Sequence, residues 1–321
     1  MPRVVVADDY NAVYATAPPI AMLRERAEVA IYTTPHRSLD ELSERLQGAD
    51  IIIANRERLP LRAELFDRVP TLRLIAQTGL RGRHLDLAAA TARGILVAGT
   101  AGEASGTATA ELTVALMLAA LRRLPYGDRE VRAGQWSQFV GREARGRTLG
   151  VIGLGRIGGQ VARVAQALGM QVLAWGPTLT PERASAAGAT YRPLEALLPA
   201  VDVLTIHLRL SELSEGLLDR DKLALLKPDA LLVNTSRAAI LDETALIAML
   251  QAGRLWGAAL DVYATEPLPS DHPFLTMPNV VLTPHIGWVA EGSYAEYISG
   301  AVANILAYLD GRPLQNVLNS G

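Results

Sequence analysis

The sequence predicts an α/β protein of two domains, each with a mainly parallel sheet flanked by helices. Its 321 residues exceed the usual size of a single hydrophobic core. Short apolar runs alternate with helical patterns along most of the chain, which is typical of βα units. A glycine-rich turn at 153–158 lies just inside a second series of such units. These observations favour two parallel sheets over a single domain.

Composition fits a globular protein and excludes several kinds of site. Hydrophobic residues make up 50% of the chain, charged residues 20%, and the formal net charge is −2, so no basic surface for nucleic acid is indicated. The absence of cysteine excludes disulfides, thiolate nucleophiles and cysteine-bound metals. The five histidines form no HxH or HExxH pair, so a dedicated metal site is not expected.

The sequence gives no sign of a leader or a membrane span. The chain opens with MPRVVVADDY, and its longest uncharged apolar stretch, 112–121, is too short to cross a bilayer. We therefore expect a cytoplasmic protein that has neither a membrane nor a nucleic acid as partner.

The first domain is predicted over residues 1–103 and 291–321. Its strands are expected at 4–7, 51–54, 74–76 and 95–97, with a helix at 39–46. A helix rich in small residues should follow over 104–123, and then a polar connection rich in glycine and arginine as far as Arg147.

The second domain is predicted over residues 104–290, inserted in the first. Its strands are expected at 148–152, 171–175, 202–206, 230–234, 257–261 and 280–282. Six strands with helices between them suit a doubly wound sheet, in which a ligand lies outside the carboxyl ends of the strands. A last helix at about 294–309 is expected to return to the first domain.

The run GVIGLGRIGG, from Gly150 to Gly159, leads from a buried strand straight into a helix. Gly153 would allow a tight turn, Gly155 a close approach of backbone to a pyrophosphate, and Gly158 close packing of helix on strand. The helix start would face the anion with free N–H groups. We predict that these glycines, with Arg156 and Ile157, bind a dinucleotide in a Rossmann-type domain; an ordinary strand-to-helix turn is the alternative.

The residue that usually selects NAD is missing. An acidic residue about twenty positions after the glycines normally binds the ribose hydroxyls, but Gly176 stands there. Its absence removes discrimination against a 2′-phosphate without supplying a cation for it. Thr178 and Thr180 offer hydroxyls nearby, and Arg183 is either a more distant contact or an ordinary exposed residue. NAD and NADP therefore both remain open.

Three ionisable residues, Arg237, Glu266 and His285, follow predicted strands at the edge where a cofactor should lie. Hydride transfer to a ketone needs a proton donor, and imidazole suits that role. A carboxylate can stabilise the protonated imidazole, and a guanidinium can hold a substrate carboxylate. Each residue alone could be structural, but the three together favour catalysis.

Four segments carry a resemblance to the D-isomer-specific 2-hydroxyacid dehydrogenases, a family that includes glyoxylate/hydroxypyruvate reductases and phosphoglycerate dehydrogenases. They are GRTLGVIGLGRIG (146–158), LLKPDALLVNTSRAAILDETAL (225–246), GAALDVYATEPLP (257–269) and PNVVLTPHIG (278–287). The resemblance implies a nucleotide-binding Rossmann-type domain inserted in a flavodoxin-like substrate-binding domain.

The resemblance also implies a role for each matching residue. Arg237 would bind substrate, His285 would be the acid/base and Glu266 its partner. Thr109 is expected beside the nicotinamide and Asp261 near its carboxamide. Thr235, Ser236 and Ala238 are expected to flank the cofactor through backbone or hydroxyl groups.

The first domain resembles the family less closely. Thr78, Gly79 and Leu80 match the loop whose backbone N–H groups hold the substrate carboxylate in the family, but the stretch that follows is about two residues longer. We hypothesise that Arg81 or Arg83 contacts a second acidic group of the substrate; exposed arginines without such a role are the alternative.

The sequence thus predicts a reductase of 2-oxo acids, or dehydrogenase of D-2-hydroxy acids, that uses NAD or NADP. A phosphoglycerate dehydrogenase-like enzyme is an alternative within the class, and an NAD(H)-sensing, corepressor-like binding protein is one outside it. The resemblance further implies a homodimer formed through residues 104–147, where Trp136 is compatible with an interface. Trp288 could shape the substrate side of the pocket or pack internally.

Overall fold

The computed structural model describes residues 1–80, 82 and 84–319. Its strands are β1 Arg3–Val6, β2 Glu28–Ile31, β3 Ile51–Asn55, β4 Leu74–Thr78, β5 Leu96–Thr100, β6 Thr148–Ile152, β7 Gln171–Trp175, β8 Thr190–Tyr191, β9 Val203–Ile206, β10 Leu231–Asn234, β11 Gly257–Leu260 and β12 Val280–Leu282. Its α-helices are α1 Pro18–Arg24, α2 Leu39–Arg45, α3 Ala63–Arg68, α4 Leu87–Ala92, α5 Ala104–Leu121, α6 Leu124–Arg132, α7 Arg156–Ala167, α8 Pro181–Ala186, α9 Leu194–Leu197, α10 Arg220–Leu223, α11 Glu243–Gln251 and α12 Glu291–Leu309.

The chain divides into two compact units. Unit 1 comprises Met1–Ala104 and Ala290–Gly321, and unit 2 comprises Ser105–Val289. The sequence places the division after residues 103 and 290; the substrate-binding and nucleotide-binding roles given to the two domains stay predictions.

Unit 1 contains a parallel sheet with the strand order β2-β1-β3-β4-β5, the flavodoxin-like order. Its strands are short apolar runs because helices cover parallel sheets on both faces. All five residues of β3 and all five of β4 are buried. The carboxyl ends of β3 and β4 lie side by side, with Asn55 opposite Thr78.

Unit 2 contains a parallel sheet of seven strands in the order β12-β11-β10-β9-β6-β7-β8. Successive side chains alternate between two cores, one on each face of the sheet. Leu204 and Leu232 join the first core, whereas Val203 and Val233 join the second. The order reverses at β6, so β6 and β9 flank the point where a doubly wound sheet binds its ligand.

The predicted fold class is confirmed, and the differences are local. The sequence reading missed β2 and the two-residue edge strand β8. The predicted polar connection after α5 was wrong in part, because α6 forms there. Pro125 occupies the first turn of α6, where a proline is tolerated, and none of the helix is buried. Four of its nine residues are charged, so the segment was taken as a polar connection.

Helix α5 is long and apolar enough to cross a membrane by length and composition alone. Half of it is buried inside the protein, and its Leu116, Met117 and Leu121 belong to the second core of unit 2. These contacts make α5 a core helix of unit 2.

Candidate active site

The glycine turn joins β6 to α7 in unit 2, and its geometry fits a dinucleotide phosphate. Gly153 has φ +97°, and a Cβ there would lie 2.8 Å from the His207 backbone. A Cβ on Gly158 would overlap the carbonyl oxygen of Gly153, so only glycine lets α7 pack this closely. Gly155 faces open space, and α7 begins at the next residue, so its N–H groups face that space.

Arg156 and Ile157, which lie between Gly155 and Gly158, contact different parts of unit 2. Ile157 packs against the second core of unit 2. Arg156 is exposed, and its Nε would lie 2.8 Å from a Cβ on Gly106. The lack of a side chain on Gly106 therefore leaves room for the Arg156 guanidinium at the start of α7.

His207, a residue that the sequence reading did not single out, lies beside this turn at the end of β9. Its N–H donates to the carbonyl of Ile152 at 2.7 Å. Burial lowers the pKa of its imidazole to about 4, so the ring is neutral at pH 7. Its Nε2 is buried and has no hydrogen-bond partner in the described part of the chain.

His285 and Glu266 form the central pair of unit 2. Nδ1 of His285 lies 2.7 Å from Oε2 of Glu266, and both side chains are about one-third exposed. Burial alone would raise the pKa of Glu266, but the His285 hydrogen bond and charge, with the Tyr263 N–H and the Arg237 charge, bring the net pKa below its ordinary value. Because an ionised carboxylate only accepts, we assign the proton to Nδ1, which leaves Nε2 for a ligand.

The backbone of His285 has φ +54°, an unusual conformation for a residue with a side chain. Asp261, fully buried after β11, fixes this segment. Its Oδ1 accepts from Thr283 Oγ1 at 2.6 Å and from the Ile286 N–H at 2.8 Å, and its Oδ2 accepts from the Gly287 N–H at 2.8 Å. Burial raises the pKa of Asp261, whereas these three hydrogen bonds lower it.

Tyr263 links the segments that carry Glu266 and His285, and the sequence reading did not find it. Its N–H donates to Oε1 of Glu266 at 3.0 Å. Its hydroxyl lies 2.8 Å from the carbonyl of Thr283 and 3.0 Å from that of Leu260. Aromatic residues are common near strands, so the residue type of Tyr263 did not mark it as part of the site. The one signal in the sequence was its position between Asp261 and Glu266.

Arg237 follows β10 in the same unit. The guanidinium Nη1 donates to the Ser236 carbonyl at 2.7 Å, and its positive charge lowers the pKa of Glu266. Asn234 holds the turn, since its Nδ2 donates to the Arg237 carbonyl at 3.1 Å and its Oδ1 accepts from the Ser236 N–H at 3.0 Å. Unit 2 therefore gathers the three predicted catalytic residues at the carboxyl edge of its sheet.

The predicted nicotinamide neighbours also lie in unit 2. Thr235 Oγ1 is 2.7 Å from Thr113 Oγ1 of α5, and the Ser236 hydroxyl donates to the Leu208 carbonyl. A Cβ on Gly287 would lie 3.4 Å from the Thr109 methyl group. Helix α5 thus places Thr109 against the segment that carries His285.

At the predicted ribose position, Gly176 is buried directly after β7. The loop that follows is held by α8: Arg183 Nη1 donates to the Thr178 carbonyl at 2.7 Å, and Thr180 caps the helix by accepting from the Arg183 N–H at 3.3 Å. Arg183 is therefore an exposed residue whose guanidinium is hydrogen-bonded to the loop that follows Gly176. The sequence alone indicated a more distant position for this side chain.

The predicted substrate turn belongs to unit 1, whereas the residues described above belong to unit 2. Thr78 is fully buried and Leu80 is 41% exposed. The Gly79 N–H donates to the Thr100 carbonyl at 2.9 Å, so it is already engaged, unlike the free donor that the resemblance implies. Arg81 and Arg83 lie outside the described residues.

The chain is similar to known proteins in sequence and in structure. Residues 114–287 match the family model "D-isomer specific 2-hydroxyacid dehydrogenase, NAD binding domain". A D-3-phosphoglycerate dehydrogenase of Archaeoglobus fulgidus is 37% identical over 302 residues, which is 93% of this chain and 56% of that protein. A glyoxylate reductase of Korarchaeum cryptofilum is 37% identical over 266 residues, 81% of this chain and 80% of that protein.

Among solved structures, a phosphoglycerate oxidoreductase of Vibrio cholerae O395 has a TM-score of 0.92 and 34% identity, and the match covers 97% of this chain and all of that one. The chain spans just over half the length of the phosphoglycerate dehydrogenase relative but four-fifths of the glyoxylate reductase.

Proposed function

The chain belongs to the D-isomer-specific 2-hydroxyacid dehydrogenase family, and on that premise we propose that it transfers a hydride between NAD(P)(H) and a 2-oxo acid or D-2-hydroxy acid. The observation that carries this proposal is the 2.7 Å contact between His285 Nδ1 and Glu266 Oε2. It leaves Nε2 of an oriented imidazole ready to exchange a proton with a substrate oxygen.

In the reducing direction, His285 donates the proton of Nε2 to the carbonyl oxygen as negative charge develops there. Glu266 stabilises the protonated imidazole and fixes its orientation. The Arg237 guanidinium pairs with the substrate carboxylate. A nicotinamide cofactor, when bound, supplies the hydride that completes the reduction. In the opposite direction, His285 accepts the hydroxyl proton.

The residues that would hold the cofactor are those of the turn after β6, with Gly155 open to a pyrophosphate and the N–H groups of α7 facing it. Asp261, Thr235, Ser236 and Thr109 are the proposed neighbours of the nicotinamide end. Asp261 would serve both the cofactor and the His285 segment.

The direct test is to follow the absorbance of NADH or NADPH with glyoxylate, hydroxypyruvate and 3-phosphohydroxypyruvate. We expect steady oxidation of the cofactor with at least one of them and a D-configured product. Cofactor binding without turnover of any 2-oxo acid would instead favour an NAD(H)-sensing protein. Preference for the phosphorylated acid would support the phosphoglycerate alternative, which shares its substrate class with some of the relatives, as preference for glyoxylate would with others.

We further propose that the ribose site accepts NADPH at least as well as NADH. Gly176 brings no negative charge against a 2′-phosphate, and Arg183 stands bonded to the Thr178 carbonyl in the same loop. Thr178 could donate its hydroxyl to the same phosphate. A guanidinium that uses one donor for the loop keeps four for a ligand.

Two substitutions test this preference from opposite sides. Gly176→Asp should weaken NADPH binding by roughly tenfold or more, because a carboxylate repels the phosphate. Arg183→Gln should weaken NADPH binding and leave NADH binding unchanged. Titration of tryptophan fluorescence with each cofactor measures both, and equal losses for the two cofactors would contradict the proposal.

The partner that we propose is a second copy of the chain. Trp136 is 83% exposed and Val140 is 94% exposed, in the segment that the family resemblance assigns to dimerisation, next to a helix with no buried residue. Such apolar exposure is typical of an interface core. Trp136→Glu should convert a dimer to a monomer in sedimentation equilibrium, whereas a monomeric wild type would exclude this interface. The cytoplasmic location stays a prediction.

A further inference from the structure

Arginines line a cavity at the amino edge of the unit 2 sheet. The cavity has a volume of about 600 Å³ and is lined by residues 140–143, 145–147 and Asp202. Strand β6 begins directly after this segment, and β9 begins directly after Asp202. The glycine turn follows the opposite end of β6, about 16 Å away for a strand that rises about 3.3 Å per residue. The cavity is therefore separate from the proposed cofactor site.

Arg142 is held in place at this cavity before any ligand binds. Its backbone N–H donates to the carbonyl of Leu121 at 2.8 Å, and its Nη1 donates to the carbonyl of Asp229 at 2.5 Å. Its guanidinium carbon lies 4.3 Å from the centre of the Trp256 ring, and the side chain is 25% exposed. A ligand would therefore find this guanidinium already positioned and with little conformational freedom to remove.

Arg145 and Arg147 bring two further guanidinium groups to the lining. The Nε of Arg147 donates to the carbonyl of Glu143 at 2.7 Å, and its two terminal nitrogens remain as donors for a ligand. Arg145 is exposed. Neither arginine forms an ion pair with another of the described residues, so both charges border the cavity without a carboxylate in contact.

The nearby carboxylates leave the cavity with an excess of positive charge. Asp202 is occupied, because its Oδ1 accepts from Lys227 Nζ at 2.9 Å and its Oδ2 accepts from the first backbone N–H of β6 at 2.8 Å. The side chain of Asp229 is 57% exposed, and its Oδ2 lies 4.0 Å from Arg142 Nη1. Glu143 is exposed as well. Carboxylates that are this well hydrated neutralise a guanidinium only weakly.

The arginines also repel one another. Burial lowers the pKa of Arg142, and the positive charge of Arg147 lowers it further, against the opposing charges of Asp229 and Asp202. Like charges held close together in a partly buried cavity raise the free energy of the unbound protein. A bound anion would remove that repulsion, and guanidinium groups pair with oxyanions through two hydrogen bonds at once.

We propose that this cavity binds a multivalent oxyanion, a molecule that carries two or more phosphate or carboxylate groups. Arg142 and Arg147 bind one group, and the exposed Arg145 binds a second. The volume of about 600 Å³ exceeds what one phosphate fills, which favours a ligand with several groups. The site goes beyond the proposed function, because it uses none of the residues assigned to the cofactor or to the substrate.

The test is calorimetric titration of the protein with tripolyphosphate and with tricarballylate, each with saturating NADH present so that the glycine turn is occupied. Both should bind at least tenfold more tightly than acetate, and the tighter of the two identifies the preferred group. Arg142→Gln and Arg147→Gln should each weaken binding about tenfold or more, the effect of a lost charged hydrogen bond. Arg147→Lys should fall between, since it keeps the charge without the fork.

The matched control is Arg163→Gln. Arg163 is exposed on α7 of the same unit, so this change removes the same charge away from the cavity and should leave binding within about twofold. Arg145→Gln should weaken binding about threefold, the effect of one exposed charge contact. Because Arg145 is exposed, this variant decides the question if Arg142→Gln does not fold.

Thermal unfolding gives a second readout. Tripolyphosphate at about a hundred times its Kd should raise Tm by about 2 °C or more, whereas sodium chloride of equal ionic strength should not. The inference is overturned if the wild type binds no multivalent anion beside NADH, or if Arg163→Gln loses as much affinity as Arg147→Gln. Displacement of the anion by NADH would also overturn it, because the anion would then lie on the glycine turn.

Discussion

The carboxyl edges of the two sheets use the same structural device for two different side chains. In unit 2, His285 has a left-handed backbone after β12, and the buried Asp261 of the neighbouring strand end holds its segment. In unit 1, Arg56 has a left-handed backbone after β3, and the buried Gln77 and Thr78 of the neighbouring strand hold it. Each edge thus presents one fixed polar side chain.

The two edges differ in what accompanies that side chain. The carboxylate of Glu266 lies 2.7 Å from Nδ1 of His285, which suits the proposed exchange of a proton at the other ring nitrogen. No carboxylate pairs with Arg56 within the described residues, and its guanidinium contacts the hydroxyl of Tyr297. The comparison teaches that a held left-handed backbone fixes only the direction of a side chain. The charge of the neighbouring group decides what that side chain can do chemically.

The largest effect is expected at His285. His285→Gln removes the proton donor and should lower kcat about 10³-fold, within the range for loss of a general acid. Cofactor affinity, measured by fluorescence titration, should stay within about twofold. Near-normal kcat in this variant would show that His285 is not the proton donor.

Glu266→Gln tests the paired charge and should lower kcat roughly 10- to 100-fold, the cost of a charged hydrogen bond. Glu266 stays ionised at neutral pH because its pKa is held below the ordinary value. Without this carboxylate the imidazole loses the acceptor that orients its Nδ1, so the loss should appear in kcat and leave cofactor affinity within about twofold. An unchanged kcat in Glu266→Gln would contradict this role.

Asp261→Asn tests the support of His285 without touching its ring. The amide nitrogen would face the N–H of Ile286 or Gly287 in place of an acceptor, which should cost about 2 kcal/mol of unfolding free energy. We expect kcat to fall about tenfold. This loss is smaller than the ~10²-fold loss of rate that a 1 Å displacement of the reacting groups can cause. Urea unfolding and kcat check the two effects, and a stable variant with unchanged kcat would show that the segment needs no such support.

Gln77→Leu is the corresponding change in unit 1 and should have the smallest effect. It removes the donor to the Arg56 carbonyl at 2.7 Å and should lower the free energy of unfolding by about 1 kcal/mol, the value of one net hydrogen bond. Urea unfolding measures this loss. An unchanged free energy of unfolding would mean that Arg56 keeps its left-handed backbone without this bond.

Much of unit 2 was predictable because its signals are local. Buried parallel strands are continuous apolar runs, and the glycines at 153, 155 and 158 mark a turn whose geometry permits little else. Arg237, Glu266 and His285 follow their strands by three to six residues, so counting positions along the chain places them at one edge. Strand β8 was missed because it has only two residues, and helix α6 because most of its residues are polar or charged.

Contacts between distant segments were not predictable in the same way. Tyr263 spans the Glu266 and His285 segments, yet nothing in its spacing tells that its hydroxyl reaches the Thr283 carbonyl. The sequence directed attention to Arg81 and Arg83 because they follow the matched turn. Arg56, 23 positions before Gly79 along the printed sequence, reaches that turn because β3 and β4 pair side by side.

The amino-acid sequence by itself determined the fold class, the glycine turn after β6 and the presence of Arg237, Glu266 and His285 at the carboxyl edge of the unit 2 sheet, because these follow from periodicity and from residue type after strand ends. Only the tertiary structure decided which ring nitrogen of His285 faces Glu266, which residue holds the segment of His285, and which arginine lies on the Gly79 turn. Those depend on hydrogen-bond geometry between neighbouring strands, and strand pairing brings together residues that no short spacing connects.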